Sequence, residues 1–131
     1  MKVGIDLVLV KRFSKMAENI DSCTKVFTLN EIEYIKTKIG NVDLSVKKYK
    51  PIEYTIAGIY ASKEAVLKAF GVGIAKEINI TDIEITHNCN GACCVNLLGK
   101  AKQFSKDHHF KSIELSVSHD GEYATAICAI I

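Results

Sequence analysis

Asp6 interrupts an otherwise aliphatic run, Val3-Gly4-Ile5-Asp6-Leu7-Val8-Leu9-Val10. An ionised carboxylate in such a segment is expensive to bury unless a cation or a set of donors meets it. Asp6 therefore turns to a wet face, pairs with a lysine, or serves a metal or catalytic site. Glu64 and Lys68 stand four residues apart, a spacing that puts both on one face of a helix with about 6 Å of rise between them. Taken alone this is a surface ion pair in the favourable order. Its neighbourhood, Tyr60-Ala61-Ser62-Lys63-Glu64-Ala65, sets small side chains beside the glutamate, where a ligand can approach closely.

Ser116, Ser118 and His119 offer two hydroxyls and an imidazole able to grip phosphate or nucleotide groups. A Ser118–His119 nucleophile pair is disfavoured, because neighbours on a strand point to opposite faces. His87, Cys89, Cys93 and Cys94 carry zinc-ligating atoms, but their irregular spacing around one hairpin lacks the second spaced pair of a structural site. No GxGxxG or GK[ST] loop follows any strand, which excludes a phosphate-loop nucleotide fold.

The elements that must position these residues are readable. Val3 to Val10 is a buried strand, and Lys11 to Met16 turns into a short helix carrying Lys11, Arg12 and Lys15. Thr28-Leu29-Asn30-Glu31 has the capping-box form and opens an amphipathic helix through Leu29, Ile32, Ile35 and Ile39 that stops at Gly40. Asn41 to Lys50 reads as an exposed connection ending in the basic cluster Lys47-Lys48-Tyr49-Lys50. Pro51 begins the longest helix, Pro51 to Phe70, closed by Gly71 and Gly73. Ile78 to Thr86 and Cys93 to Leu98 form a hairpin around an Asn-Gly turn, with a slip near Thr81-Asp82. Gly99 to His109 is a short helical or irregular link. Ile113 to Ser118 and Tyr123 to Ile131 form a second hairpin around His119-Asp120-Gly121. Strand, helices, then two hairpins is α+β, a mostly antiparallel sheet packed against a long helix and shorter helices.

At 131 residues the chain is one domain, 1–131, without internal repeat or linker. Its 48% hydrophobic and 24% charged residues exclude disorder. Seventeen basic and 15 acidic residues leave a net charge of +2. That surplus does not announce a nucleic-acid partner, yet it leaves room for a basic patch facing an acidic one. Five cysteines, an odd count without a framework of spacings, point to reduced thiols in a cytoplasmic protein. No apolar run approaches the ~20 residues of a membrane span.

Three segments in this order carry a resemblance: Gly4-Ile5-Asp6, then Tyr60-Ala61-Ser62-Lys63-Glu64-Ala65-Val66-Leu67-Lys68-Ala69-Phe70-Gly71, then Leu115-Ser116-Val117-Ser118-His119 with Tyr123-Ala124-Thr125-Ala126. The chain resembles the holo-[acyl-carrier-protein] synthases, the short, one-domain type of 4′-phosphopantetheinyl transferase. The likeness runs from near residue 3 to the C-terminus. The resemblance implies transfer of the 4′-phosphopantetheine arm of coenzyme A to a serine of acyl carrier protein, releasing adenosine 3′,5′-bisphosphate, in fatty acid biosynthesis.

The same resemblance implies that Asp6 and Glu64 hold Mg²⁺, and that Lys68 neutralises charge on the breaking pyrophosphate and can protonate the leaving phosphate. The base for the serine is then a metal-bound water, Glu64 or Asp6. Ser118 and His119 fall in the coenzyme A-binding segment, with Lys63 a further phosphate contact. Lys11, Arg12 and Lys15 are the docking surface for the acidic carrier protein, and a homotrimer is implied. The chain departs from the family pattern in two places: Gly58-Ile59-Tyr60 lacks a usual arginine, and Gly91-Ala92-Cys93 replaces Gly-Lys-Pro. A non-catalytic module binding an acidic carrier protein is the alternative reading.

Overall fold

The structure, a computed structural model, describes residues 1–41, 48–71 and 76–131. Most of the basic connection, Lys47 included, and the helix-closing Gly73 therefore lie outside the described residues.

Strand β1 (Lys2–Leu9) leads through a 3₁₀ turn (Val10–Phe13) into α1 (Ser14–Glu18), and a second 3₁₀ turn (Ile20–Ser22) precedes α2 (Leu29–Lys36). The long helix α3 (Pro51–Phe70) follows, then β2 (Ile83–His87), β3 (Cys93–Leu97), α4 (Gly99–Asp107), β4 (Ile113–Asp120) and β5 (Tyr123–Ile130). One antiparallel sheet has the order β1-β5-β4, and β2 and β3 form a separate two-stranded sheet. This is the expected α+β arrangement, with α3 as its spine. Pro51 sits in the first turn of α3, and Gly71, at φ 118°, ends it.

Period-two alternation divides β1 cleanly. Gly4 and Val8 are buried against α3, while Val3, Ile5 and Leu7 are exposed on the other face. Gly4 is required there: a Cβ on it would lie 2.0 Å from the Ala65 carbonyl oxygen and 2.5 Å from the Ala69 amide nitrogen of α3. The missing side chain lets strand and helix backbones touch. Ile56, Val66 and Phe70 of α3 pack into the same core as Val8, Val10, Ala126 and Ile130.

Two boundaries differ from expectation. Helix α2 stops at Lys36 rather than Ile39, because the chain tightens into turns in which Thr37 Oγ1 donates to the Tyr34 carbonyl at 2.6 Å. Strand β2 begins at Ile83 rather than Ile78. Asn79 and Asp82 cap each other around a 3₁₀ turn (Ile80–Asp82), which takes up the alternation's slip. The link after β3 is a regular helix, α4, anchored by Phe104 against Phe70 at 5.1 Å between ring centres. Among the described residues no helix is long and apolar enough to cross a membrane.

Candidate active site

Asp6 shares the α3-facing side of β1 with Gly4 and Val8, so it is not on the sheet's open face. The close approach at Gly4 sets β1 against the Ala65–Ala69 stretch of α3, which follows Glu64 directly and contains Lys68. Lys68 Nζ donates to Asp6 Oδ1 at 2.8 Å and to the Ile5 carbonyl at 3.0 Å. Asp6 Oδ2 is buried and has no hydrogen-bond partner among the described residues. Thr125 Oγ1 donates to the Asp6 carbonyl at 2.8 Å, pinning the backbone from β5.

Glu64 feels Asp6 directly. Burial pushes its carboxyl above the ordinary value and the Asp6 charge pushes it the same way. Lys68, a hydrogen bond from Tyr60 and the charge of Arg12 pull it back. Two carboxylates and a lysine, remote in sequence, thus share one site between β1 and α3. The hydrogen bond from Tyr60 was not foreseen, although its position one turn before Glu64 was the available signal. The small residues around Glu64 serve packing: Ala61 and Ala65 are fully buried, and Ser62 Oγ donates to the Gly58 carbonyl at 2.7 Å.

Lys63 requires a correction. It is fully buried, donating to Glu31 Oε1 at 2.5 Å and to the Val26 carbonyl at 2.7 Å. It therefore cannot reach a phosphate at the surface. Glu31 is equally buried, and it also accepts from the Thr28 amide at 2.9 Å, closing the capping box of α2, and from the Ile85 amide at 2.9 Å. Burial pushes the Lys63 ammonium down from its ordinary value, and Glu31 opposes that by charge and hydrogen bond. The pair clamps α2, α3 and β2 together.

Lys11, Arg12 and Lys15 are exposed at the start of the first helical segment. The Arg12 guanidinium lies 5.4 Å from the Phe13 ring centre and 5.6 Å from that of Tyr60. The basic surface therefore reaches the Tyr60 and Glu64 end of the site.

Ser118 and His119 part company. Ser118 pairs with Thr125 and lies with Leu7 on the open face of the sheet, whereas His119 stacks on Tyr54 with ring centres 4.6 Å apart. His119 lines a cleft of about 330 Å³ together with Tyr34, Lys38, Tyr54, His87 and Cys93, among others. His87 stacks on Tyr34 at 3.8 Å between centres, and its Nδ1 is buried without a partner among the described residues. Burial, helped by the Lys38 charge, holds this imidazole below its ordinary value. Lys38 and Tyr34 carried no sequence signal, since nothing in α2 or in the turn after it marks which residues will face β2. Asp6, Glu64 and Lys68 do not line the cleft: its α3 wall comes from Pro51, Tyr54, Thr55, Gly58 and Ile59.

The thiols of the β2–β3 hairpin do not assemble. Cys93 Sγ lies 3.5 Å from His87 Nε2, but Cys89 and Cys94 are exposed. Among the described residues no three His, Cys, Asp or Glu side chains cluster as a metal site.

The family model of the 4′-phosphopantetheinyl transferase superfamily matches residues 2–128. A holo-[acyl-carrier-protein] synthase of Caldicellulosiruptor saccharolyticus is 38% identical over 128 residues, covering 98% of this chain and 93% of its own. The enzyme of the same name from Ruminiclostridium cellulolyticum is 39% identical over 132 residues, covering 99% and 91%. The crystal structure of Helicobacter pylori holo-[acyl-carrier-protein] synthase in complex with coenzyme A superposes with a TM-score of 0.75 at 28% identity, covering 98% of this chain and 99% of that one.

Proposed function

The chain belongs to the 4′-phosphopantetheinyl transferase superfamily, and from that premise we infer how its residues carry out the reaction. The chain is a holo-[acyl-carrier-protein] synthase: it moves the 4′-phosphopantetheine arm of coenzyme A onto a serine hydroxyl of acyl carrier protein. The serine oxygen forms the new bond to phosphorus, the pyrophosphate bridge breaks, and adenosine 3′,5′-bisphosphate leaves.

The observation that carries the site assignment is the convergence of Asp6, Glu64 and Lys68, with one buried Asp6 oxygen left without a partner among the described residues. Two neighbouring carboxylates of which one holds a buried, unsatisfied oxygen form a hard-oxygen donor set suited to Mg²⁺, which takes few protein ligands and completes its shell with substrate phosphates and water. Bound there, Mg²⁺ would supply positive charge to the pyrophosphate. Lys68 brings an ammonium to the same edge, where negative charge develops on the leaving phosphate, and holds a proton for it. Burial and the Asp6 charge leave the Glu64 carboxyl above its ordinary value, and Lys68, Tyr60 and Arg12 offset that push only in part.

His119 and the aromatic-lined cleft are the surface for the nucleotide end of coenzyme A. That cleft and Glu64 sit on different stretches of α3, an arrangement that suits a site completed by a neighbouring copy. The uncovered sheet face, with Val3, Ile5, Leu7, Tyr123 and Ile127 exposed, supplies the apolar surface that a homotrimer would bury. Lys11, Arg12 and Lys15 would steer the acidic carrier protein toward Glu64. A reaction on a soluble carrier with reduced thiols is consistent with a cytoplasmic enzyme.

The test is the intact mass of an acyl carrier protein incubated with coenzyme A and this protein. One phosphopantetheine is gained with Mg²⁺, and none with chelator or with Glu64→Ala in a folded variant. Carrier-protein binding without any mass gain would favour a non-catalytic module.

A further inference from the structure

Asp6 presents its two oxygens differently. Oδ1 accepts from Lys68 Nζ at 2.8 Å, and the same ammonium donates to the Ile5 carbonyl at 3.0 Å. Oδ2 is buried and has no partner among the described residues. The two partners also differ in freedom, since the Asp6 side chain is 13% exposed and that of Lys68 is 51% exposed. The carboxylate is fixed on a strand pinned by α3 and β5. The ammonium rides on a flexible four-carbon stem with its head half in water.

We propose that Lys68 is a placeholder for the divalent cation: it neutralises Asp6 before the metal arrives and is released by the metal to the phosphates of the substrate. This rests on the metal reading of Asp6 and Glu64 given above. A buried carboxylate needs a cation at every stage, and an ammonium one bond away supplies it when no metal is bound. A dication that takes Asp6 brings twice the charge to the same oxygens. Lys68 would then give up its bond to Asp6, keep only the Ile5 carbonyl and face a like charge, so that the phosphates of coenzyme A become the anions that can receive its ammonium. Lys68 thus weakens metal binding in the substrate-free enzyme and strengthens it once phosphate is present to receive the ammonium. By linkage, metal and coenzyme A each raise the affinity of the site for the other, with Lys68 as the part that moves.

The probe is Mn²⁺ affinity, read from the paramagnetic resonance signal of the free ion, with no carrier protein and hence no turnover. Wild type is compared with Lys68→Met, which keeps the stem and removes the charge. Arg12→Met removes an equal charge near Glu64 without touching Asp6. Without coenzyme A, Lys68→Met is expected to bind Mn²⁺ about fivefold to tenfold more tightly than wild type, and Arg12→Met less than twofold. With saturating coenzyme A the advantage of Lys68→Met disappears or reverses. Lys68→Gln replaces it should Lys68→Met fail to give the wild-type circular dichroism spectrum.

Equal or weaker binding by Lys68→Met overturns the proposal, as does a gain no larger than that of Arg12→Met or a gain that persists with coenzyme A. If wild type binds Mn²⁺ and Glu64→Gln does not, the metal reading stands even when the placeholder fails. If no variant binds with or without coenzyme A, both fall.

Discussion

Gly4 and Ala65 are in backbone contact: the position of a Cβ on Gly4 is 2.0 Å from the Ala65 carbonyl oxygen. That contact sets the spacing of β1 from α3, and with it the spacing of Asp6 from Glu64 and Lys68. Any side chain at residue 4 must push strand and helix apart, because the obstructing atoms are backbone.

Gly4→Ala is therefore expected to destabilise the protein by about 3 kcal/mol, at the upper end of the usual overpacking range. A urea titration followed by circular dichroism measures it. The variant's residual folded fraction should also transfer phosphopantetheine poorly, because Asp6 moves with β1. A wild-type midpoint would mean that β1 and α3 are not held this closely.

Lys63→Met should cost about 3–5 kcal/mol, the penalty for leaving the buried Glu31 carboxylate without its cation. Pairing it with Glu31→Leu should recover part of the loss, since an apolar pair leaves no charge stranded. Recovery stays incomplete because the Thr28 and Ile85 amides lose their acceptor. Thermal midpoints of the two single variants and the double variant form the cycle that reads this.

Glu84 predicts an acid limb of stability. Burial pushes its carboxyl up, but the donors Thr28, Asn96 and Asn30 and the charge of Lys63 outweigh burial and hold it below the ordinary value. With the folded value depressed, its stabilising contribution is complete above the unfolded carboxyl value and is lost as pH falls through the folded one. Glu84→Gln should lower stability at pH 7 and flatten the fall between about pH 5 and 3. Parallel acid limbs in the two proteins would contradict the assignment.

Thiol reactivity should separate the cysteines. Cys128 is fully buried and its thiol is pushed up to about 11 by burial, while Cys89 and Cys94 are exposed. A thiolate reagent at pH 8 should label Cys89 and Cys94 first and spare Cys128 until the chain unfolds. Time-resolved peptide mass spectrometry follows each site.

Much of the site was legible because its residues violate local expectations. Asp6 is an acid in an aliphatic strand, and Glu64 and Lys68 share a helical face. The opposite orientations of Ser118 and His119 follow from strand geometry alone. The sequence points Lys63 the wrong way because it shows a lysine beside a candidate site glutamate without showing its partner. Glu31 lies on another helix, and its capping box gives no hint that the same carboxylate also holds a buried ammonium. The Tyr34, Lys38 and His87 wall of the cleft was invisible for the same reason, since it forms only where α2 meets the β2–β3 hairpin.

The amino-acid order by itself determined the elements and the family, because these depend on local periodicity, caps and motif spacing. Tertiary structure alone decided that Asp6 faces α3, that Lys68 meets its carboxylate, and that Lys63 is a buried strut. Those outcomes depend on how closely two backbones pack, and the atoms that set that distance belong to residues some sixty positions apart in the chain.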